Sequence, residues 1–422
     1  MNIRIAPLAM ASEPVFQPES MDLDLVIGPV AEFPKFEFSK REVRAAGESL
    51  KDTLPWSPET MEIFKIANSW CDSHAYPMRA IRYALIGQLR RVRIGGLTAA
   101  RLKRMPSIRK KLRLIKGNLT QINDLGGVRA IVPAMTDVNV LLTALRQNNR
   151  HPVDPNNEYD YINEPKPDGY RSHHLVYRFR GEGEAEVFTG RRIELQVRSR
   201  IQHSWATAVE AVGLFRGEDM KAGQGSPEWL RLFQLMSAEF ARAEGCPEPI
   251  DAIPRRLRVA EIKELDNKLQ AAAVLDNMSV AFDFTDRYYL DPLFKPKYFL
   301  IKYNNITKTV KVELHNHPKE ITRIYHDAEW NGGAYNIVLV EVDKVENLKA
   351  AYPNYFGDVQ LFLRNLRLIA RGKEAREYTL PPQETVRPQE LPATLVGCGA
   401  VAAGGASAWL SYPSARGGRA AA

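Results

Sequence analysis

Tyr159-Asp160-Tyr161-Ile162, then Lys166-Pro167-Asp168-Gly169-Tyr170-Arg171-Ser172-His173-His174-Leu175-Val176-Tyr177, then Ile193-Glu194-Leu195-Gln196-Val197-Arg198 stand near the middle of the chain. The last two pieces alternate with period two and predict strands. In the final piece Ile193, Leu195 and Val197 share one face, and Glu194, Gln196 and Arg198 share the other. A half-buried sheet sends the aliphatic set inward and holds the polar set on its open side. Lys166-Pro-Asp-Gly is a tight-turn signal that brings a lysine and Tyr170 to one end of that sheet. A cation, an aromatic ring, two histidines, a carboxylate and an arginine therefore converge. Such a set suits a nucleotide-phosphate site.

Upstream, Asn123-Asp124-Leu125-Gly126-Gly127-Val128-Arg129-Ala130-Ile131-Val132 reads as a turn feeding a buried strand. Gly126 and Gly127 let a ligand approach the backbone closely. Asp124 reads either as a turn aspartate or as a ligand to a metal. Between Asp72 and Asp124 there is no acidic residue, while thirteen arginines and lysines crowd the window from Arg79 to Lys116. One reading of that run is a solvated basic helix. Yet Arg101, Lys103, Ser107 and Lys111 straddle a helix start at Pro106-Ser107, where free amides and the helix dipole favour phosphate. Asp124 and Glu194 beside such a cluster suit metal-assisted phosphoryl chemistry, because magnesium takes one or two carboxylates plus phosphate oxygens. At about 4 Å a charge pair is worth about 4 kcal/mol at an effective dielectric of 20, so a triphosphate calls for several cations. As a lone residue Tyr170 reads as core; at a turn beside Gly169 and Lys166 it also suits stacking on a base.

The 422 residues allow two or three domains, and the net charge of +8 favours an anionic partner. Cys71, Cys246 and Cys398 form no CxxC pair, which argues against a disulfide framework or a zinc site and fits a reducing cytosol. Nothing reads as a signal peptide or membrane span, so the expected location is cytoplasmic, with no membrane partner. Residues 1–55 read as an irregular arm. Helices are expected over 58–73, from Pro77 to Gly95-Gly96, over 137–148, 201–213 (with Trp205 in the core and His203 ambiguous), 229–243 and 258–276. From Val280 on, strand-like segments begin at Tyr298, Thr309, Ile321 and Tyr335, followed by a segment over 345–351, an aromatic turn at 352–357 and a helix over 359–369. The composition beyond Arg371 reads as a disordered tail.

Taken together, the motifs resemble the synthetase domain of the RelA/SpoT family, which moves the pyrophosphate of ATP to the ribose 3′ hydroxyl of GDP or GTP to make (p)ppGpp. Arg101-x-Lys103-x-x-x-Ser107-Ile108-x-x-Lys111 resembles the family's ATP-phosphate segment, and Asp124-x-x-x-x-Arg129 its strand with the magnesium aspartate. Tyr161-Ile162 with Lys166-Pro-Asp-Gly-Tyr170-x-Ser172-x-His174 is similar to the acceptor loop, whose tyrosine stacks on guanine. Glu194-x-Gln196-x-Arg198 resembles the second catalytic strand, where the glutamate binds metal or activates the 3′ hydroxyl. The match runs from Ile81 to Glu210.

The order helix–strand–helix–strand–strand predicts an α/β fold of the α+β kind with a mixed β-sheet, and the resemblance implies that this is a nucleotidyltransferase-like synthetase domain flanked by helices (56–245). A helical connector (246–279) and a smaller C-terminal antiparallel-sheet domain with helices (280–371, of unknown role) would precede the tail (372–422). It also implies catalytic and metal roles for Asp124 and Glu194. ATP-phosphate contacts fall to Arg101, Lys103, Ser107, Lys111 and Arg129, and acceptor contacts to Lys166, Tyr170, His174, Gln196 and Arg198. Mg2+ is the implied cofactor, with ATP and GDP or GTP as substrates. Alternatives are a toxin-like member that pyrophosphorylates the 3′ end of tRNA, with 280–371 as a fused neutralising or sensing module, and a catalytically silent nucleotide sensor. Homo-oligomerisation stays open. Hydrolase activity is not expected, since the family's helical HD domain has no counterpart before the match and His326-Asp327 falls in an expected strand. Arg104 stands where long members often carry histidine, which leaves nucleotide preference open.

Overall fold

The alternation at Ile193, Leu195 and Val197 does form a strand, and it lies inside an eight-stranded mixed sheet. The computed structural model describes residues 29–376, apart from 56, 148–149, 221–222, 250–252, 282–296, 305, 308, 332–334 and 343–358. In chain order the helices and strands begin with α1 (Lys40–Ser49), α2 (Pro58–Asp72), α3 (Ala75–Arg91), β1 (Leu97–Leu102), α4 (Met105–Leu114), β2 (Gly126–Val132) and α5 (Met135–Arg146). Then come β3 (Val153–Asp160), β4 (His173–Arg178), β5 (Arg192–Ser199), α6 (Arg200–Arg216), α7 (Pro227–Ala243), α8 (Arg255–Leu269) and α9 (Ala271–Ala281). The last are β6 (Tyr298–Asn304), β7 (Val310–His315), α10 (Pro318–Asn331), β8 (Tyr335–Glu341) and α11 (Gln360–Ala370).

The strand order is β3-β4-β5-β2-β1-β8-β6-β7, with β2 and β5 parallel and the other pairs antiparallel. One face carries Val128, Ala130, Leu175, Ile193, Leu195 and Val197 against Ile81 and Leu85 of α3 and Leu141 and Leu142 of α5. The other carries Phe299, Ile301, Val338 and Val340 against α6 to α9 and α11, with Trp229, Phe233 and Phe362 at its centre. Burying each such side chain contributes about 1.5–3 kcal/mol relative to leaving it in water. Val43, Trp70, Ile108 and Leu112 form a third cluster that seats α4 on α1 and α2. No helix among the described residues is long and apolar enough to cross a membrane.

The fold class is as expected, and four local readings are corrected. The arm through residue 55 is not irregular throughout, because α1 forms there behind a capping box. The Glu42 amide donates to Ser39 Oγ at 3.2 Å, and the Ser39 amide donates to Glu42 Oε2 at 2.7 Å. Leu97–Leu102, not read as a strand, pairs with β2 along its whole length. Ile321–Tyr325 is helical, inside α10, so His326 and Asp327 lie on a helix. Lastly, the expected antiparallel strands are present, but β8 also pairs with β1 at Ala100↔Glu341 and Arg101↔Val340, so the C-terminal strands continue the central sheet. Buried ions seal that junction: Glu341 Oε1 lies 3.3 Å from Arg79 Nε and 3.3 Å from Arg82 Nη1, and Arg79 Nη1 donates to the Tyr298 hydroxyl at 2.8 Å. The readings at 345–357 and for the tail beyond 376 lie outside the described residues.

Candidate active site

Strand register places the polar set. Arg101 of β1 pairs with Gly127 of β2, which pairs with Glu194 of β5. Arg129 pairs with Gln196, which pairs with His174 of β4. Because Val128, Ala130, Ile193, Leu195 and Val197 fill the opposite face, the odd-numbered set on β2 and the even-numbered set on β5 share the open face. Gly127 sits between Arg101 and Glu194, and a Cβ there would meet only the Arg101 carbonyl oxygen, at 3.7 Å, so it leaves the floor low. Gly126 has the other job: a Cβ there would lie 2.7 Å from Ile193 Cδ1 of β5 and 3.4 Å from Met78 Cβ of α3, so glycine leaves room for both.

Above this floor opens a cleft of about 810 Å³, lined by Arg101, Lys103, Ser107, Lys111, Asp124, Arg129, Lys166, Glu194 and Gln196 among others. Nine of the twelve expected site residues thus meet in one space. Asp124 Oδ2 accepts from Lys103 Nζ at 2.8 Å and Oδ1 accepts from Lys111 Nζ at 2.8 Å. Burial pushes the Asp124 carboxyl up, but the two ammonium groups outweigh it and hold it at about 2. Glu194 is braced on both oxygens, with His174 Nδ1 at 3.1 Å from Oε1 and Gln196 Nε2 donating to Oε2 at 2.7 Å. Against burial, those contacts keep it below the usual carboxylate range, while the Asp124 charge opposes them.

Both carboxylates are hard oxygen donors facing one cleft, and each feels the other's charge. They fit a magnesium ion that completes its shell with phosphate oxygens and water. Among the described residues there is no group of three or more His, Cys, Asp or Glu that could form an all-protein cage.

The other three expected residues, Tyr170, His174 and Arg198, are not among those that line the cleft. His174 is buried, and its Nε2 lies 2.9 Å from the Tyr170 hydroxyl. Burial would raise the Tyr170 phenol, yet Arg198 and His174 bring it down to about 7, and Tyr170 and Glu194 in turn raise His174. Arg198 is only 2% exposed and donates to Gln196 Oε1, so it braces the row from behind. The Lys166 ammonium lies 4.5 Å from the Tyr161 ring centroid and 5.1 Å from that of Tyr170. Tyr161 also stacks on Tyr159, with centroids 5.7 Å apart and planes 3° from parallel.

The loop carrying these rings closes as its sequence predicts, the Gly169 amide donating to the Lys166 carbonyl at 2.8 Å. Helix α7 pins it from outside. Ser237 Oγ donates to the Gly169 carbonyl, Gln234 Nε2 donates to the Pro167 carbonyl at 2.9 Å, and the buried Arg171 reaches Ser237 Oγ at 3.3 Å. Gly169 holds φ +92°, a conformation that suits glycine, and packs against Ser237 and Trp205. Trp205 is core, as expected, donating to the Phe233 carbonyl at 2.7 Å, and His203 is buried.

The far wall was not read from the sequence. It consists of Val209, Glu210, Gly213 and Leu214 at the end of α6, and Gly217 to Met220 beyond it. Asp219 pairs with Lys110 across the opening. Asn336 of β8 also lines the cleft; a strand-like stretch after a long insertion gave no sign of that. The basic run divides in use. Arg79 and Arg82 are buried under Glu341, while Arg109 donates to the Leu50 and Asp52 carbonyls and Arg113 to that of Lys51. Among the described residues, five cations of the run line the cleft, Arg101, Lys103, Arg104, Lys110 and Lys111, and Arg129 and Lys166 join them from outside the run. His326 Nε2 meets Asp72 Oδ2 at 2.8 Å, away from that cleft's lining.

A mixed sheet whose open face gathers cations around two acidic side chains has the equipment of a polyphosphate-handling protein. Residues 100–217, from within β1 to the end of α6, match the family described as the region found in RelA / SpoT proteins. Small alarmone synthetase 1 from Bacillus subtilis, solved bound to its product pppGpp, is similar at 20% identity over 44% of this chain and 94% of that one, with a TM-score of 0.35. A GTP pyrophosphokinase family protein from Streptococcus pneumoniae is similar at 19% identity over 45% and 91% of the two chains, with a TM-score of 0.36. Small alarmone synthetase 2 from Bacillus subtilis is similar at 23% identity over 42% and 89%, with a TM-score of 0.30. No curated protein matches the chain.

Proposed function

We propose that the protein is a pyrophosphokinase that moves the β,γ-pyrophosphate of ATP to the ribose 3′ hydroxyl of GDP or GTP. The observation that carries this reading is that Asp124 and Glu194 share one cleft with Arg101, Lys103, Ser107 and Lys111. The β1–α4 cations hold the donor phosphates, and the Lys166–Tyr170 loop holds the acceptor. The 3′ oxygen attacks the β-phosphorus, the bond from that phosphorus to the α,β-bridging oxygen breaks, and AMP leaves with the bonding pair. Glu194, ionised at neutral pH and fixed by His174 and Gln196, accepts the hydrogen bond of the attacking hydroxyl and then its proton. Magnesium, when bound by Asp124 and Glu194, would supply charge neutralisation for the transferred phosphates. Positioning and electrostatics then account for most of the rate.

The guanine-nucleotide acceptor is preferred to tRNA because part of the basic run is already engaged: Arg79 and Arg82 are buried against Glu341, and Arg109 and Arg113 are tied to the carbonyls of Leu50, Lys51 and Asp52. The test is radiolabelled ATP with magnesium, offered in parallel to GDP, GTP and bulk tRNA. Labelled ppGpp or pppGpp is the expected product. Label in tRNA alone would replace the acceptor assignment, and no transfer to any of the three would overturn the enzyme reading in favour of a silent nucleotide sensor.

A further inference from the structure

Asn336, at the second position of β8, lies far along the chain from the matched segment, yet it lines the same cleft as Arg101, Lys103 and Asp124. Its Oδ1 accepts from Arg104 Nη1 at 3.2 Å, and Arg104 is the residue that caps α4. From the same C-terminal segment, Glu329 Oε1 accepts the Met105 amide at 3.1 Å. Strand β8 is itself fixed by its ladder to β1 and by the pairing of Glu341 with Arg79 and Arg82. The corner that presents Arg101, Lys103, Ser107 and Lys111 is therefore held from the C-terminal side. An arginine carries about 2 kcal/mol of rotamer entropy, so holding its guanidinium in advance lowers the ordering cost when a phosphate arrives.

We propose that Asn336 is a positioning residue for the donor polyphosphate: it holds the Arg104 guanidinium at the donor end of the cleft, and β8 is thereby part of the active site. The proposal rests on the donor assignment made above and extends it to a strand outside the RelA/SpoT segment. Two readouts on the full chain test it: binding of the non-hydrolysable ATP analogue AMPCPP by calorimetry, and steady-state kinetics with each substrate varied. Asn336→Ala is expected to raise the AMPCPP Kd and the ATP KM about ten-fold, the lower end of the loss of one hydrogen bond to a charged group. The acceptor KM and the thermal midpoint stay near those of the unaltered chain. Asn336→Asp, whose carboxylate cancels the Arg104 charge, weakens AMPCPP further, and Asn336→Gln restores part of the loss. In an Arg104→Ala background, Asn336→Ala adds nothing.

An unchanged AMPCPP Kd in Asn336→Ala overturns the proposal. So does an equal rise in both KM values with a lowered midpoint, which marks a purely structural role, and so does full additivity with Arg104→Ala. If the unaltered chain binds AMPCPP but transfers to no acceptor, the enzyme reading fails while the binding series still decides the role of Asn336. If it does not bind AMPCPP, the proposal fails with the donor assignment.

Discussion

Glu194 and Asp124 sit on the same floor but are held differently, and that difference sets what substitution does. Glu194→Gln keeps the shape and loses the proton acceptor, so kcat is expected to fall by about 10²–10⁴ with the thermal midpoint nearly unchanged. Asp124→Asn removes the charge that Lys103 and Lys111 share. Transfer should drop by about 10²–10³, and a magnesium titration of turnover should no longer saturate in the range of the unaltered chain. Normal turnover in either variant contradicts the assignment. Tyr170→Phe tests the hydroxyl apart from the ring. It should relax His174 and so alter the pH profile of kcat, while leaving acceptor binding within about two-fold if the ring face makes the contact. At this scale the sequence was informative: alternation put Glu194 and Gln196 on the open face, and the turn put Lys166 beside Tyr170. It failed at Arg198, which alternation also places on that face, because the guanidinium lies 5.8 Å from the Tyr170 ring centroid, donates to Gln196 and is left 2% exposed. Period two gives the face and says nothing of what lies on top of it.

Elements behave according to their caps and partners. The Ser39-x-x-Glu42 signature was present in the sequence and is the signal that could have found α1. Helix α10 was misread because Ile321, Thr322 and Ile324 are β-branched and favour strands locally. Tertiary packing decides otherwise, since Ile321 and Tyr325, one turn apart, bury together against Leu300 and Ile337. Helix α7 shows what a motif search leaves out, because it holds the Lys166–Tyr170 loop through the Gln234 and Ser237 side chains. Ser237→Ala should loosen the loop, raising the acceptor KM about two- to ten-fold while leaving the ATP KM in place. Initial-rate measurements with each substrate varied in turn would check this, and equal changes in both constants would count against it.

Across the whole molecule, two buried histidines make the fold acid-sensitive. Burial and the nearby Arg191 hold His74 at about 3, and burial with Arg150 and Arg180 holds His151 at about 4. Both stay neutral in the fold, while the unfolded chain protonates them below about 6.5. Their stabilisation is therefore complete above that value and is lost as pH falls toward 4 and then 3. The thermal midpoint should drop over this window, and His151→Gln should flatten its upper part; a midpoint constant from pH 7 to 4 would refute this. The Glu341 junction is the second global feature. Glu341→Ala would strand two buried guanidinium groups, and urea unfolding should show a loss of about 3–5 kcal/mol. Neither feature could be read from local patterns, because Arg79 and Glu341 come together only when the sheet forms.

The strand order also fixes a timetable. During synthesis β1 emerges early, and the partner for its outer edge is not made until the ribosome has passed Glu341. Until then the nascent chain carries an open edge, and the β1–α4 corner lacks its support from β8. Competence to handle ATP should thus arise late in translation, and chains stalled before residue 335 should be a target for chaperones rather than a source of product.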